Sequence, residues 1–495
     1  MRTPEQYLAD LKKMKKNVYV GGEKVERDDP RLMGSVRVMQ TTFELAQDPE
    51  WEEVMVAESS LTGNKINRFT HLPQTPYDLL QKQKMIRLAA TRVGGCIQRC
   101  MGQDAITALS VATKEIDEAC GTEYHQRFMA FLKEYQEKDL AAACCQTDSK
   151  GDRSKRPSEQ ENPDSYVHIV EERSDGIIVS GMKISITMAA AADELLVIPT
   201  RALGEKDRDY AVAFAIPADW ENVRLITRPV WLRERKEFKC PYAEMGVSDS
   251  VVVFDNVFIP KERVFMCGEW QFGRRLALGF ADSHRFSYTG CKPAVSDILC
   301  GATALAAEAN NIERAAHIKE KLSELAGTGE LAFAAGIAAA MYGEKTSSGT
   351  FTPNVIYANV GRRLMGEFIY HEFNTLTELA GGLCATLPFE QDFIAEETRE
   401  DMKKLMIRNP KMAFEEAARA WHFIESVAAS SMAIWYQIAG VHGGGSPIME
   451  TITLNLEIDY EAKKDIARYL AGIKDELDQS ELLQRKPNSL NLEEA

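Results

Sequence analysis

The spacing of apolar and polar positions divides the chain into three stretches and a tail. From residue 1 to about 140 the apolar residues recur with a helical period, broken by polar turns at Gly21-Gly22 and Thr62-Gly63-Asn64, which predicts an all-helical first domain (1–140). Thr3 followed by Pro4 reads as an N-cap and a first helical position, so the chain is expected to open on a helix and not on a leader peptide. Near 141 the period shortens to two. Residues 166–170, 176–180, 194–198, 210–216 and 250–254 alternate as strands do, predicting a β domain over 141–274 whose strands end at Asp255-Asn-Val-Phe-Ile-Pro260. From 275 to 474 the helical period returns on Ala-rich faces, interrupted at Ala380-Gly-Gly-Leu383 and His442-Gly-Gly-Gly-Ser-Pro447. The remainder, 475–495, is polar and acidic and reads as a loosely held tail. The longest strongly apolar run, 331–343, is shorter than the roughly 20 residues a bilayer span needs and reads as a buried helix.

Composition narrows the class. A chain of 495 residues with 45% hydrophobic content can bury a large core and is long enough for two to four domains. A formal charge of −15 argues against nucleic-acid binding as the main activity, since that needs a basic surface to neutralise phosphates. The 10 cysteines are scattered through a long chain and not arrayed as a small secreted framework, so reduced thiols and a cytoplasmic location are expected.

Two stretches concentrate candidate chemistry: Cys96-Ile-Gln-Arg-Cys100 and His284-Arg-Phe-Ser-Tyr-Thr-Gly-Cys291. On helices, Cys96 and Cys100 stand at i and i+4 and His284 and Cys291 at i and i+7, so each pair shares a face. Three thiolates and one imidazole fit either a structural zinc site or an iron–sulfur cluster. Tyr288 and Lys292 continue the His284 stripe, as they would in a reactive site or in a core whose polar groups are satisfied. Gly94 and Gly95 precede Cys96 in a helical pattern, where each costs about 1 kcal/mol relative to Ala; close approach of something bulky such as a cluster or an acyl chain, a helix start, or plain close helix packing would each explain them. A glycine loop that leads into a helix, as at 443–445, can cradle phosphate or simply stop a helix.

These residues, with Gln98 between the cysteines and Thr147-Asp-Ser-Lys-Gly-Asp-Arg153, resemble the 4-hydroxybutyryl-CoA dehydratases, a branch of the flavoprotein family shared with 4-hydroxyphenylacetate 3-hydroxylase; the match runs from about residue 4 to about 474. The resemblance implies an α+β, acyl-CoA dehydrogenase-like fold with an N-terminal helical domain, a central β-barrel and a C-terminal helical bundle. It implies a [4Fe–4S] cluster on Cys96, Cys100, His284 and Cys291, and FAD against Thr147, Asp148, Lys150, Gly151, Asp152, Arg153, Ser185 and Thr187, with Gly381, Gly382, Gly443, Gly444 and Gly445 near its phosphates or adenine. His284, Tyr288, Lys292, Asp249 and Gln98 would be the catalytic groups, the assembly a homotetramer, and the substrate an acyl-CoA whose unactivated C3 proton is made acidic by a one-electron oxidation that is later reversed. The match departs from the family in three places. Ala439 stands where the family has a glutamate, Asp249 where it has a longer carboxylate, and Ser185 and Ile186 where it has other polar side chains. The alternatives are a two-component FAD-dependent aromatic monooxygenase and a non-catalytic protein with a structural zinc site.

Overall fold

The structure is a computed structural model, and it describes residues 1–230 and 234–476; most of the expected tail therefore lies outside the described residues. The first helix, Pro4–Lys13, starts as the sequence predicts, with Gln6 N–H donating to Thr3 Oγ1 at 3.2 Å. The first stretch is not all helical, however. Val18–Val20 and Glu23–Val25 are strands that join the central sheet.

Among the described residues the strands form two large sheets and two short two-stranded ones, Val56–Glu58 with Lys65–Asn67 and Glu344–Lys345 with Phe351–Thr352. One large sheet has six strands in the order Glu23–Val25, Val18–Val20, Val223–Val230, Val247–Pro260, Gly176–Thr187, His168–Arg173. The other has four, in the order Val264–Cys267, Val212–Pro217, Glu194–Val197, Ala142–Cys145. Pairing is antiparallel except where Val18–Val20 meets Val223–Val230 and Ala142–Cys145 meets Glu194–Val197. Both large sheets are open, since their outer strands pair no further strand among the described residues, and the expected closed barrel is corrected to two sheets. The strand Val247–Pro260 passes straight through the predicted stop: Asn256 takes φ 51° at a register shift, and pairing with Gly176–Thr187 resumes beyond it. Apolar side chains between the sheets and the first helices, among them Tyr7, Phe43, Phe128, Leu195, Phe214 and Phe265, make the largest core.

The 37-residue helix Gly273–Ala309 is the axis of the C-terminal half, packed against Pro76–Val93, Cys100–Cys120, Ala316–Met341 and Val355–Ala380. Pro293 lies inside it and has no N–H for the carbonyl one turn earlier. That carbonyl, Thr289 O, is satisfied instead by Gln83 Nε2 at 3.1 Å, from the neighbouring helix. The apolar run 331–343 is buried on one face only, for Leu331 and Ile337 are exposed. No helix among the described residues is long and apolar enough to cross a membrane.

Candidate active site

The thiols meet at a helix junction. Helix Pro76–Val93 ends at Gly94 in the left-handed region (φ 73°), and the next helix begins only at Cys100. Cys96 therefore lies in a turn, and the expected helical i, i+4 pairing of Cys96 with Cys100 is corrected. Gln98, at φ 61° and fully buried, shapes the turn: its Oε1 accepts from Ser35 Oγ at 2.7 Å and its Nε2 donates to Gly246 O at 3.1 Å. The bulky neighbours that call for Gly94 and Gly95 are tyrosine rings, because an added Cβ would come within 2.4 Å of Tyr242 Cδ2 and 2.0 Å of Tyr436 Oη. Tyr436 Oη also accepts from Cys96 N–H at 3.2 Å.

His284, Tyr288, Cys291 and Lys292 lie on the one helix Gly273–Ala309, as the spacing predicts. Cys96, Cys100 and Cys291 are close enough for a thiolate on one to disfavour ionisation of another, and burial pushes the Cys96 thiol up to about 12 and Cys100 and Cys291 upward as well. His284 meets one of these thiols directly: ligand atoms of Cys100, Asp104 and His284 all lie within 4.8 Å of one another, a group that does not take in Cys96 or Cys291. The donor set fits a metal cluster. Thiols that cannot ionise unaided need a cation to do so, and the imidazole has only one ring nitrogen, Nδ1, bonded to a protein carboxylate, Asp104 Oδ2 at 2.7 Å.

The glycine loop closes over this helix. Tyr288 Oη donates to Ala439 O at 2.8 Å, and the Tyr288 ring lies 4.6 Å from the Arg362 guanidinium and 5.3 Å from Lys292 Nζ. Arg362 Nε donates to Gly443 O at 3.0 Å, and Arg285 Nε to Gly444 O at 3.0 Å. Burial pushes the Tyr288 phenol well up and the Lys292 ammonium down. Gly443 and Gly444 are thus tied to the helices Val355–Ala380 and Gly273–Ala309, whereas Gly381 caps Val355–Ala380 and, with Gly382, lies in an exposed turn.

The other flavin candidates gather on the sheet. Thr187 Oγ1 donates to Asp249 Oδ1 at 2.6 Å, and Trp435 Nε1 donates to Asp249 Oδ2 at 2.6 Å. Asp249 is near enough to Cys96 to raise its pKa, which links the sheet to the thiols. Thr147 O accepts from Ile184 N–H at 2.8 Å, and buried Asp148 pairs with Lys183 Nζ at 2.9 Å, pinning the polar loop across Gly176–Thr187. Lys150 and Gly151 take φ 72° and 51°, Asp152 and Arg153 are exposed, and Ser185 is exposed at φ 55°. Four residues that contact the candidates escaped the sequence reading: Asp104, Lys82, Arg362 and Trp435. Asp104 was within reach, one turn after Cys100 on a buried face; Lys82 and Arg362 occupy apolar stripes, between Leu79 and Ile86 and between Ala358 and Met365.

The profile of the 4-hydroxyphenylacetate 3-hydroxylase N-terminal region matches residues 3–266, and that of its C-terminal region matches 274–472. The chain belongs to the 4-hydroxyphenylacetate 3-hydroxylase family. Within this family it is 38% identical over 491 residues to the 4-hydroxybutyryl-CoA dehydratase/vinylacetyl-CoA-Δ-isomerase of Clostridium aminobutyricum, covering 96% of this chain and 100% of that one. An oxygen-tolerant archaeal 4-hydroxybutyryl-CoA dehydratase from N. maritimus superposes with a TM-score of 0.91 at 35% identity, over 99% of this chain and 98% of that one. A 4-hydroxyphenylacetate 3-monooxygenase oxygenase component of Thermus thermophilus is 27% identical, covering 79% of this chain and 81% of that one. Among members of the 4-hydroxyphenylacetate 3-hydroxylase family, the chain is therefore more similar to these dehydratases than to that oxygenase.

Proposed function

We propose that this chain is a dehydratase/isomerase of an acyl-CoA-type substrate that uses FAD and a [4Fe–4S] cluster. The observation that carries the reading is the meeting of Cys100 with the Asp104-backed imidazole of His284, with Cys96 and Cys291 near enough to act on the Cys100 thiol, beside Tyr288 and the glycine loop. When bound, FAD would supply reversible one-electron exchange with the substrate, and the cluster an iron able to polarise a hydroxyl or thioester oxygen.

The chain's own residues have distinct parts. Cys96, Cys100, Cys291 and His284 hold the cluster. Tyr288, kept protonated by burial and giving its one proton to Ala439 O, holds the glycine loop in place and is not a base. Lys292 and Arg362 put positive charge against the phenol ring and favour an anionic enolate or thioester oxygen there. Thr187 contacts the flavin from the sheet, and the loop 147–153 with the glycines 443–445 holds it.

The three-part acyl-CoA dehydrogenase-like layout, with parts at 1–140, 141–274 and 275–474, belongs to the same proposal, as does a cytoplasmic homotetramer. Exposed Ile434 and Ile438 on one helix and Ile448 and Leu456 on the next support an interface with other copies, through which Gly381 and Gly382 would reach a neighbour's flavin. Light scattering that shows a flavin-loaded monomer would count against it. Anaerobic purification with iron, sulfide, zinc and flavin analysis tests the cofactor reading. Iron, sulfide and flavin together support it, with iron falling in Cys100→Ala; flavin without iron would point to a monooxygenase, and zinc alone to a structural site.

A further inference from the structure

We infer that Asp104 is the positioning residue for His284: it fixes the imidazole tautomer and the ring plane so that Nε2 is the nitrogen offered to the cluster. The inference rests on the cluster reading above and goes one shell beyond it. Asp104 stands one helical turn after Cys100 and is fully buried. Its Oδ1 accepts from Lys82 Nζ at 2.6 Å and from Ser287 Oγ at 2.8 Å, and its Oδ2 faces His284 Nδ1 at 2.7 Å. With Lys82 Nζ and Ser287 Oγ donating to Oδ1, the carboxylate presents Oδ2 to the ring as an acceptor. His284 Nδ1 therefore carries the proton, and the remaining ring lone pair is on Nε2.

The ring has no freedom to reverse this assignment. Phe280 stacks on it with centroids 5.6 Å apart, and Tyr288 meets it edge-on at 5.1 Å. Asp104 joins the two ligand helices, Cys100–Cys120 and Gly273–Ala309, at one point, while Lys82 brings the counter-charge from a third helix, Pro76–Val93. A carboxylate that served helix packing alone would not govern which nitrogen meets the metal.

The test uses anaerobically prepared holoprotein carrying ¹⁵N-labelled histidine, with pulsed EPR of the reduced cluster. In the wild type, coupling to a single imidazole bound through Nε2 is expected, and coordination through Nδ1 would overturn the inference whatever the variants do. Asp104→Asn, and the charge-neutral pair Lys82→Met/Asp104→Asn where the single variant folds poorly, should keep FAD and the three thiolate ligands. They should lose or shift the histidine coupling, and should hold iron against a chelator about 10–100-fold more weakly. A folded, flavin-loaded variant with unchanged coupling and unchanged iron loss would refute the positioning role. A wild type without any cluster would instead refute the functional reading itself.

Discussion

Replacing Gly443 by Ala tests whether the glycine loop is shaped by Tyr288. At Gly443 φ is −66° and ψ 133°, values any residue adopts, so the cost of an added methyl is steric and not conformational. The new Cβ would lie 1.4 Å from Tyr288 Oη and 2.6 Å from its Cζ. Ordinary contact requires the ring tip to retreat by roughly 2 Å. That retreat breaks the 2.8 Å bond to Ala439 O and lifts the ring from Arg362. Leaving a buried hydroxyl unpaired costs about 1–3 kcal/mol, and forced repacking a similar amount, so Gly443→Ala is expected to cost about 2–5 kcal/mol. Moving the loop instead gives no escape, because Gly443 O is held by Arg362 Nε at 3.0 Å. The assay is the urea midpoint of the variant beside the wild type, repeated in a Tyr288→Leu background. The smaller side chain should recover most of the loss, and the coupling between the two changes should exceed about 1 kcal/mol. A Gly443→Ala protein within about 0.5 kcal/mol of wild type, or equal losses in both backgrounds, would refute the reasoning.

Asp249 links sheet to helix through both oxygens, so Asp249→Ala should cost about 1–3 kcal/mol and shift the emission of Trp435, while Asp249→Asn, which keeps one acceptor, should cost less; chemical denaturation with Trp fluorescence reads both. Burial pushes Glu194 up from 4.5 to about 7 despite Arg263 at 3.1 Å, so the folded state binds a proton that the unfolded chain releases near 4.5. This group's contribution is therefore full below about pH 4.5 and is lost as the pH rises through 7, an effect on the order of 3 kcal/mol. Glu194→Gln should accordingly gain stability relative to wild type between pH 5 and pH 8; a pH-independent difference between the two unfolding curves would contradict this.

Much of this architecture was legible because periodicity reports burial. His284, Tyr288, Cys291 and Lys292 share a helix as their spacing predicts, and the Thr3-Pro4 start is a capped helix. The pattern failed where the same spacing suits two structures: a Cys-x-x-x-Cys segment reads as one helical turn, yet Gly94 and Gln98 at positive φ make it a loop leading to a helix. Strands were missed where their side chains do not look like strands. Ala142–Cys145 has no β-branched residue, Val223–Val230 carries Arg224, Arg228 and Pro229, and Val18–Val20 is too short to show a period. Asp104, Lys82 and Arg362 were missed for a different reason. Charged residues read as solvent-facing one at a time, and only the fold shows that they are buried together around a site.

Ala439 is where sequence and site diverge most, and the structure makes its consequence specific. It lies in the helix Ser431–His442, and its carbonyl accepts both Gly443 N–H at 2.9 Å and the Tyr288 phenol at 2.8 Å. A carboxylate restored on this residue would belong to the turn whose carbonyl the phenol holds, one turn before the glycine loop, and would supply the proton-transfer group that alanine lacks. Alanine moves none. Asp249 does not replace it, since Thr187 and Trp435 occupy its two oxygens, and Tyr288 is held protonated by burial. General acid–base catalysis is worth about 10²–10⁴-fold, so dehydration of 4-hydroxybutyryl-CoA by this chain should be weak, and Ala439→Glu should raise it by at least about tenfold. The comparison is made anaerobically on preparations of equal iron and flavin content, with a second acyl-CoA that carries its own acidic group as a control. Wild-type turnover of 4-hydroxybutyryl-CoA equal to that of the Clostridium aminobutyricum enzyme in the same assay would sink the argument. So would a folded, cofactor-loaded Ala439→Glu whose rate on this substrate does not change, because the carboxylate would then be present and still have no proton to move.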